Sequence, residues 1–332
     1  MRITTSAILR NYQGGLSKAA VQLNSDQNKV LTQRSFSTAA EDPAAATQAF
    51  KLRKSYASNS DYISNTEDAI SKLETISSSG LEMHTVAKSA KEMILQAING
   101  STSSEGRATI AASLRGYQET LVLSANAKYG DDFMFGGANN SEAPFELVNG
   151  ELQYFGIDVN TTDTTEKATL DKLLSEEVLV DLGFGLEVDG SSSVTSGTAF
   201  CTSFSGLDAL GYGTDSDGND NNLVNLLGQI ADELEAENFD TEKTSELSLK
   251  FESTCSSLMN FVTDLGTKSN YLENTLTRLE TNKTILNEKI TSLESIDLAE
   301  AITNYSWSQY AYNAALKVGN SILSQSFIDY MS

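Results

Sequence analysis

The sequence predicts a mainly α protein with an inserted β-rich domain, in which long helices form a bundle and the two terminal helices form a coiled coil. Three observations support this prediction. Apolar residues recur at heptad spacing in both flanks, the 332-residue chain contains only 2 prolines, and its negative charge is concentrated in a glycine-rich centre. Heptad spacing places apolar residues on one stripe of a helix, which needs a partner helix to cover it. Proline interrupts helices because it lacks a backbone donor, so its scarcity favours long ones.

Each end of the chain carries such a stripe. The N-terminal stripe is Leu9, Leu16, Leu23 and Val30, and the C-terminal stripe is Ile302, Tyr305, Tyr312, Leu316 and Leu323. Neither segment is long enough to bury its stripe alone, so we expect the two helices to pair, and we identify these residues as an assembly interface. We also expect residues 1–40 and 298–332 to be largely disordered in the free monomer and to fold on assembly. Identical subunits stacked through contacts that do not close would form a helical fibre.

Two longer heptad runs, over 45–130 and 240–295, predict an intramolecular helical bundle. Signals for helix ends support this segmentation. Asp42 followed by Pro43 predicts a helix start, because the carboxylate accepts free N–H groups of the first turn and proline has no N–H to leave unpaired. Asp297 opens the last helix in the same way.

The centre of the chain differs from the flanks in charge and in periodicity. The whole chain has a net charge of −22, and between 140 and 242 it carries 22 acidic and 2 basic residues. Asn149-Gly150 is a typical hairpin turn. Short apolar segments predict strands at 133–137, 152–155, 177–186 and 199–207, followed by a helix at 223–234.

These signals divide the chain into five parts. They are an N-terminal assembly helix at 1–42, the first part of the bundle at 43–145, an acidic β-containing outer domain at 146–239, the second part of the bundle at 240–296, and a C-terminal assembly helix at 297–332. Within the first part of the bundle, Thr102 and Glu105 predict a capping box, and Gly130 predicts the end of the helix that follows.

No set of residues supports a catalytic, cofactor or metal site. The chain has 1 histidine and 2 cysteines, which disfavours most zinc hydrolases, and Cys201 and Cys255 lie far apart in sequence. Asp215 and Asp217 resemble part of a calcium loop, but the glycine and the bidentate glutamate of such a loop are misplaced. Asn160 begins a glycosylation sequon, a triplet that also arises by chance. We therefore predict that the protein is not an enzyme and has no cofactor.

Charge and hydropathy limit the partners as well. A net charge of −22 repels nucleic-acid phosphates, so we expect no nucleic-acid partner. No apolar run reaches the roughly 18 residues of a transmembrane helix, and none follows Arg2 in the manner of a Sec signal peptide. We therefore expect no insertion into a membrane.

Four segments of the chain carry motifs that are weak alone and specific in their order. They are residues 1–4, residues 40–46, residues 133–137 with 143–145, and the terminal stretch 299–316 followed by 326–327. Together they resemble the bacterial flagellin superfamily and, within it, the hook-associated members at the junction of hook and filament. The resemblance covers 1–145 and 245–332. The residues that match the family motifs are Asp42, Pro43, Phe133, Phe135, Gly136, Gly137, Pro144 and Phe145.

The resemblance implies a nested architecture, with the termini paired as a coiled coil at a filament axis, the bundle around them and the acidic domain outermost. It also implies export by the flagellar type III pathway to an extracellular position in the flagellum. The implied partners are further copies of the chain in a ring, hook-associated protein 1, flagellin, and an export chaperone that covers the C-terminal stripe.

Two alternative functions stay open on the sequence. A flagellin filament subunit would share the fold and differ in role, and the motifs at Asp42-Pro43 and at 133–137 favour the junction role over it. A secreted protein that binds a ligand or calcium through its acidic domain is an alternative from a different class.

Overall fold

The computed structural model describes residues 5–99, 102–188, 194–195, 197–215 and 218–331. In the terminal helices, the described side chains are those of Ala7 and of residues 9–321. Contacts divide the chain into two compact units, which we call the terminal unit (Met1–Ser60 with Glu280–Ser332) and the central unit (Asp61–Leu279).

Long helices dominate the chain, as the sequence predicts. The helices are α1 (Thr5–Thr32), α2 (Pro43–Ile98), α3 (Ser104–Ala125), α4 (Thr164–Ser175), α5 (Gly206–Leu210), α6 (Leu223–Glu235), α7 (Thr241–Glu294) and α8 (Leu298–Met331). The strands, all short, are β1 (Lys128–Tyr129), β2 (Asp132–Phe133), β3 (Phe145–Val148), β4 (Glu151–Tyr154), β5 (Ile157–Asp158), β6 (Leu179–Val180) and β7 (Phe200–Cys201). The prediction of a mainly α chain with a β-containing insertion is therefore confirmed.

The core of the central unit runs without interruption from the long helices into the insertion. Heptad positions of α2, α3 and α7 are fully buried, among them Leu73, Leu114 and Leu258. They belong to the same apolar cluster as Leu152 and Leu227 of the insertion. Helix α6 packs along α3, and β3 and β4 contact this helix pair. The β3–β4 hairpin is thus covered by α3, which precedes the insertion, and by α6, which lies within it.

All three sheets are antiparallel: β1–β2, β3–β4–β5 and β6–β7. The hairpin predicted at Asn149-Gly150 is confirmed, since β3 and β4 pair across it with Val148 opposite Glu151. Both turn residues have positive φ, at 54° and 87°, as a type I′ turn requires. The segments predicted as strands at 177–186 and 199–207 pair only over β6 and β7, and α5 begins within the second of them.

Two local predictions about helices were wrong, and one helix was not predicted. Helix α3 is capped by Ser103, whose Oγ accepts the Gly106 N–H at 3.2 Å, whereas the Thr102 hydroxyl donates to the Gln96 carbonyl. Gly130 does not end this helix. It lies in the β1–β2 turn with a φ of 62°, and α3 ends at Ala125. Helix α4 was missed because it buries only Leu170 and therefore has no repeating apolar stripe.

Both cysteines are free thiols, Cys201 half-buried and Cys255 buried in α7. Burial raises the pKa of the Cys255 thiol to about 12. Cys255 is therefore a packed residue of the core, whereas Cys201 is partly accessible to solvent.

Gly206 is the point of closest approach in the aromatic part of the core. Its N–H donates to the Phe135 carbonyl at 2.9 Å. A Cβ at this position would overlap the ring of Phe145 and lie 3.0 Å from the Phe135 Cβ. Phe135 and Phe145 are both buried, so neither ring has free space to move into. The absence of a side chain at Gly206 is what lets the two rings pack.

We therefore expect Gly206→Ala to lower the free energy of unfolding of the central unit by about 1–3 kcal/mol, the cost of overpacking a close-packed core. Urea denaturation followed by circular dichroism measures this. Gly116→Ala is the matched control, because nothing lies within 4 Å of a Cβ there and alanine favours a helix by up to about 1 kcal/mol. Equal stability of the two variants would contradict the packing argument.

Candidate assembly interface

Helices α1 and α8 pack along each other in the terminal unit. They run antiparallel, since Tyr12 contacts Gly319 whereas Asp26, further along α1, contacts Ser308, earlier in α8. The pairing expected from the two terminal stripes is therefore present. Each helix supplies the partner that the other lacks.

The predicted interface residues separate into two groups by exposure. The half-buried residues are Leu16, Leu23, Val30, Tyr305 and Tyr312, and the exposed residues are Leu9, Ile302 and Leu316. The side chain of Leu323 lies outside the described residues. The first group is partly covered within the terminal unit, and the second remains exposed to solvent.

A polar contact that we did not expect lies inside the seam. Asp26 is only 7% exposed. Its carboxylate accepts hydrogen bonds from the Ser308 hydroxyl and from the Gln22 amide, at 3.1 and 3.2 Å for the latter. The signal was present in the sequence, because Asp26 continues the seven-residue repeat of Tyr12 and Ala19. A single polar group at a seam position favours one register over its neighbours.

Gly319 allows the two helices to approach closely at the other end of the seam. A Cβ at Gly319 would overlap both the hydroxyl and the ring of Tyr12. The tyrosine ring therefore lies directly on the α8 backbone. Small residues at helix crossings allow such close contacts, because any larger side chain would push the helices apart.

The chain segments that lead into and out of the helix pair are also tied together. The Ser35 N–H donates to the Glu294 carbonyl at 2.7 Å, and Arg34 forms a β-bridge with Ser295. Glu294 in turn forms an ion pair with Arg53 of α2. Since these contacts join the end of α1 to the start of α8, they fix where the helix pair begins.

Of the motif residues, Asp42 and Pro43 begin α2. The Asp42 carboxylate accepts the Ala45 N–H at 2.9 Å, and Pro43 is the first residue of the helix. The pair therefore ends the segment of bends and turns that follows α1, and it acts as the N-terminal cap that its sequence predicts.

The remaining motif residues lie in the central unit. Phe133 is half-buried under the Lys128 ammonium, which is 4.2 Å from its ring centre, and Pro144 is buried beside Phe145. Gly137 has a φ of 67°, and a Cβ on Gly136 would overlap the Asn139 carbonyl. Phe135 accepts the Tyr154 hydroxyl at its carbonyl, and burial raises the pKa of that phenol. These residues build the core beneath the insertion.

A second apolar surface lies on the outside of the helix pair. Trp307 and Tyr310 are 67% and 70% exposed, and their rings meet edge to face with centres 6.4 Å apart. Other exposed apolar residues of the two helices are Leu9, Val21, Leu31, Leu298, Ile302, Leu316 and Val318. No charged residue occurs between Glu300 and Lys317. Exposed apolar surface of this kind is typical of an interaction site, and we call it the outer face.

None of the helices, as far as they are described, is long and apolar enough to cross a membrane. Within the described residues, no three His, Cys, Asp or Glu side chains are grouped so that they could hold a metal ion.

Two family models match this chain. The bacterial flagellin N-terminal helical region matches residues 3–140, and the bacterial flagellin C-terminal helical region matches residues 250–331. Together they cover well over half of the chain and include both helices of the terminal pair. The chain therefore belongs to the flagellin family.

Within that family, the chain is similar to hook-associated proteins. It is 28% identical to flagellar hook-associated protein 3 of Salmonella typhimurium over 169 residues, which are 51% of this chain and 53% of that protein. It is 27% identical to flagellar hook-associated protein 3 of Escherichia coli over 152 residues, 46% of this chain and 48% of that protein. The chain thus spans about half the length of the curated relatives it matches.

The fold is also similar to that of a solved structure. Flagellar hook-associated protein-3 from Legionella pneumophila superposes with a TM-score of 0.56 at 12% identity, over 73% of this chain and 98% of that chain. At this identity the likeness concerns the fold alone.

We expect Gly319→Ala to weaken the pairing of α1 with α8, because the added methyl group displaces Tyr12 from the seam. The cost of such overpacking is about 1–3 kcal/mol, so the equilibrium constant of pairing should fall by a factor of about 5 to 150. Thermal melting of the helices, followed by circular dichroism, measures this in the assembled protein.

Gly14→Ala is the control for this substitution. It lies on α1 of the same helix pair, and nothing lies within 4 Å of a Cβ there. It should stabilise the helix slightly. Unchanged melting of the Gly319 variant would show that Tyr12 is not held in the seam.

Proposed function

We propose that the chain is a structural subunit of the bacterial flagellum that joins hook to filament, with its terminal helices forming the coiled-coil contact. The observation that carries the proposal is the antiparallel α1–α8 pair, which covers one apolar stripe and leaves the outer face exposed. A helix pair with a second apolar surface is suited to stacking against further copies, and a contact that does not close generates a helical assembly.

The choice of the junction over the filament follows from the relatives. The curated proteins similar to this chain in Salmonella typhimurium and Escherichia coli are named flagellar hook-associated protein 3. The motif residues Asp42, Pro43 and Phe135 also agree with that branch of the family. These matches favour a hook–filament junction subunit over a flagellin that forms the filament itself.

A calcium-binding role for the acidic domain has less support. The site suggested by Asp215 receives a cation from within the chain, because the Lys250 ammonium contacts the Asp215 carboxylate and donates to the Asn219 carbonyl at 2.8 Å. A lysine ammonium in this position supplies the positive charge that calcium would otherwise bring.

The proposed partners follow from this role. They are further copies of the chain in a ring, hook-associated protein 1 on the hook side, flagellin on the filament side, and an export chaperone. We place the protein outside the cell, on the flagellum, after export by the flagellar type III pathway. The proposed domains are those of the sequence analysis, with 1–42 and 297–332 for assembly and 146–239 outermost.

Immunogold electron microscopy on intact flagella tests the role directly, with an antibody raised against residues 146–239. We expect a single narrow band between hook and filament, because a junction subunit occupies only that position. Label along the whole filament would identify a flagellin, and flagella without label would refute both flagellar functions.

A matched pair of variants extends this experiment to the outer face. Trp307→Ala removes an exposed aromatic residue from α8, and buried aromatic contacts at interfaces are worth about 2 kcal/mol or more. Leu123→Ala removes a comparably exposed residue from α3 in the central unit. We expect the band to be lost or strongly reduced with the first variant and retained with the second.

We also infer that ordering of the terminal helices accompanies assembly, as a single pair covers only one of its apolar faces. The free energy lost in ordering about 30 residues at each end is then offset only when the outer face is buried. Hydrogen exchange on the monomer should show fast exchange across α1 and α8 and slow exchange in α3. The same amides in the assembled protein serve as the control, and strong protection of α1 and α8 in the monomer would refute the inference.

A further inference from the structure

Backbone hydrogen bonds order the segment between α5 and α6 and tie it to the residue that follows β5. Residues 211–215 and 218–222 of this segment are described. The Gly213 N–H donates to the Val159 carbonyl at 2.9 Å, and the Asn221 N–H donates to the Gly213 carbonyl at 2.8 Å. Thr214 and Asp220 form a β-bridge within the segment. We call this segment the α5–α6 loop.

A buried carboxyl group connects this loop to the end of β5. Asp220 is only 8% exposed, and its Oδ1 accepts a hydrogen bond from the Asn160 Nδ2 at 2.6 Å. The Oδ1 of Asn160 is buried as well and has no hydrogen-bond partner among the described residues. An unpaired amide oxygen thus lies on the side chain that already donates to the carboxyl group.

The protonation state of Asp220 decides how many hydrogen bonds this pair can make. An ionised carboxylate only accepts, so it can take the Asn160 N–H and offers nothing to the Asn160 oxygen. A protonated carboxyl group has one O–H donor, and with a primary amide it can form two reciprocal hydrogen bonds. Protonation therefore supplies the donor that the buried Asn160 oxygen lacks, and a buried acceptor left unpaired is costly.

The charged groups around the pair favour the protonated form on balance. The pKa of the Asp220 carboxyl is raised to about 6, chiefly by burial and also by the carboxylates of Glu151 on β4, Asp158 on β5 and Asp215 in the loop. The Lys250 ammonium of α7 lowers it, but this lysine is itself bound to Asp215. The neighbour from α6 is neutral, since the Asp220 N–H donates to the Gln229 Oε1 at 3.3 Å.

We propose that Asp220 and Asn160 form a proton-operated latch that fastens the α5–α6 loop to the segment that follows β5. With a proton on Asp220, the carboxyl–amide pair closes with two hydrogen bonds. Without it, one bond remains and a carboxylate faces three others, so the loop is held more loosely. The latch is independent of the proposed assembly role, since it lies wholly within the central unit.

The direction of the pH dependence follows from the raised pKa. A carboxyl with an ordinary value of 3.8 in the unfolded chain and about 6 in the folded chain binds its proton more tightly when folded. Its contribution to stability is therefore complete below pH 3.8 and is lost as the pH rises through 6. Between about pH 5 and pH 7, the unfolding constant of the central unit should rise on the order of tenfold from this group.

The test uses the full chain with 13C-labelled aspartate carboxyl groups. Asp220 is identified by the signal that Asp220→Asn removes, and its titration midpoint is read directly. We expect a midpoint near 6 and higher exchange protection of the Gly213 and Asn221 amides below it. A midpoint in the ordinary aspartate range would overturn the proposal, whether or not the Asp220→Asn variant folds.

The Asp220→Asn variant allows a second comparison, of loop protection at two pH values. Asp220→Asn presents an amide to Asn160 and can form both reciprocal bonds at every pH, so its loop amides should be as protected at pH 7 as those of the wild type at pH 5. Asp171→Asn is the control, because it removes the same charge from the exposed surface of α4. The proposal fails if Asp220→Asn keeps the wild-type pH dependence, or if Asp171→Asn abolishes it equally.

Discussion

Burial of an apolar stripe that no single helix can cover alone is the constraint on which this structure depends. In the terminal unit the stripe of α1 is covered by α8, which comes from the opposite end of the chain. The folded ends therefore require residues that are about three hundred positions apart to meet. Contacts so distant in sequence carry a high entropic cost. The terminal pair therefore depends on further stabilising contacts.

The central unit buries its apolar stripes by contacts between its own helices and the insertion. Its long helices and its insertion share one apolar cluster. The insertion is anchored at a few specific points. The Asn126 side chain, just after α3, exchanges two hydrogen bonds with the Phe145 backbone, at 2.8 and 3.0 Å, in the manner of a paired strand. Arg115 of α3 binds Asp232 and Glu235 of α6, and these hydrogen bonds raise its pKa. These contacts attach the acidic insertion to the helices of the central unit.

The polar groups buried in the two units contribute specificity rather than bulk stability. Asp26 fixes the register of the terminal pair through Ser308, and the buried Gln118 binds the Val224 carbonyl at 2.8 Å where α3 meets α6. Asn160 is a further case. It begins the glycosylation sequon, but its side chain is not exposed. Its amide is engaged with Asp220 in the folded chain. Each of these side chains satisfies one neighbour that an apolar residue would leave unpaired.

The sequence by itself determined the helical flanks, the start of α2 at Asp42 and Pro43, the hairpin at Asn149-Gly150 and the pairing of the ends. Periodicity and capping are local, so the residues that produce them are visible in order along the chain. Only the tertiary structure decided which seam residues face inward, that Gly319 admits Tyr12, and that two long predicted strands pair over two residues each. These outcomes depend on which surfaces meet in space, and a sequence read in order does not record that.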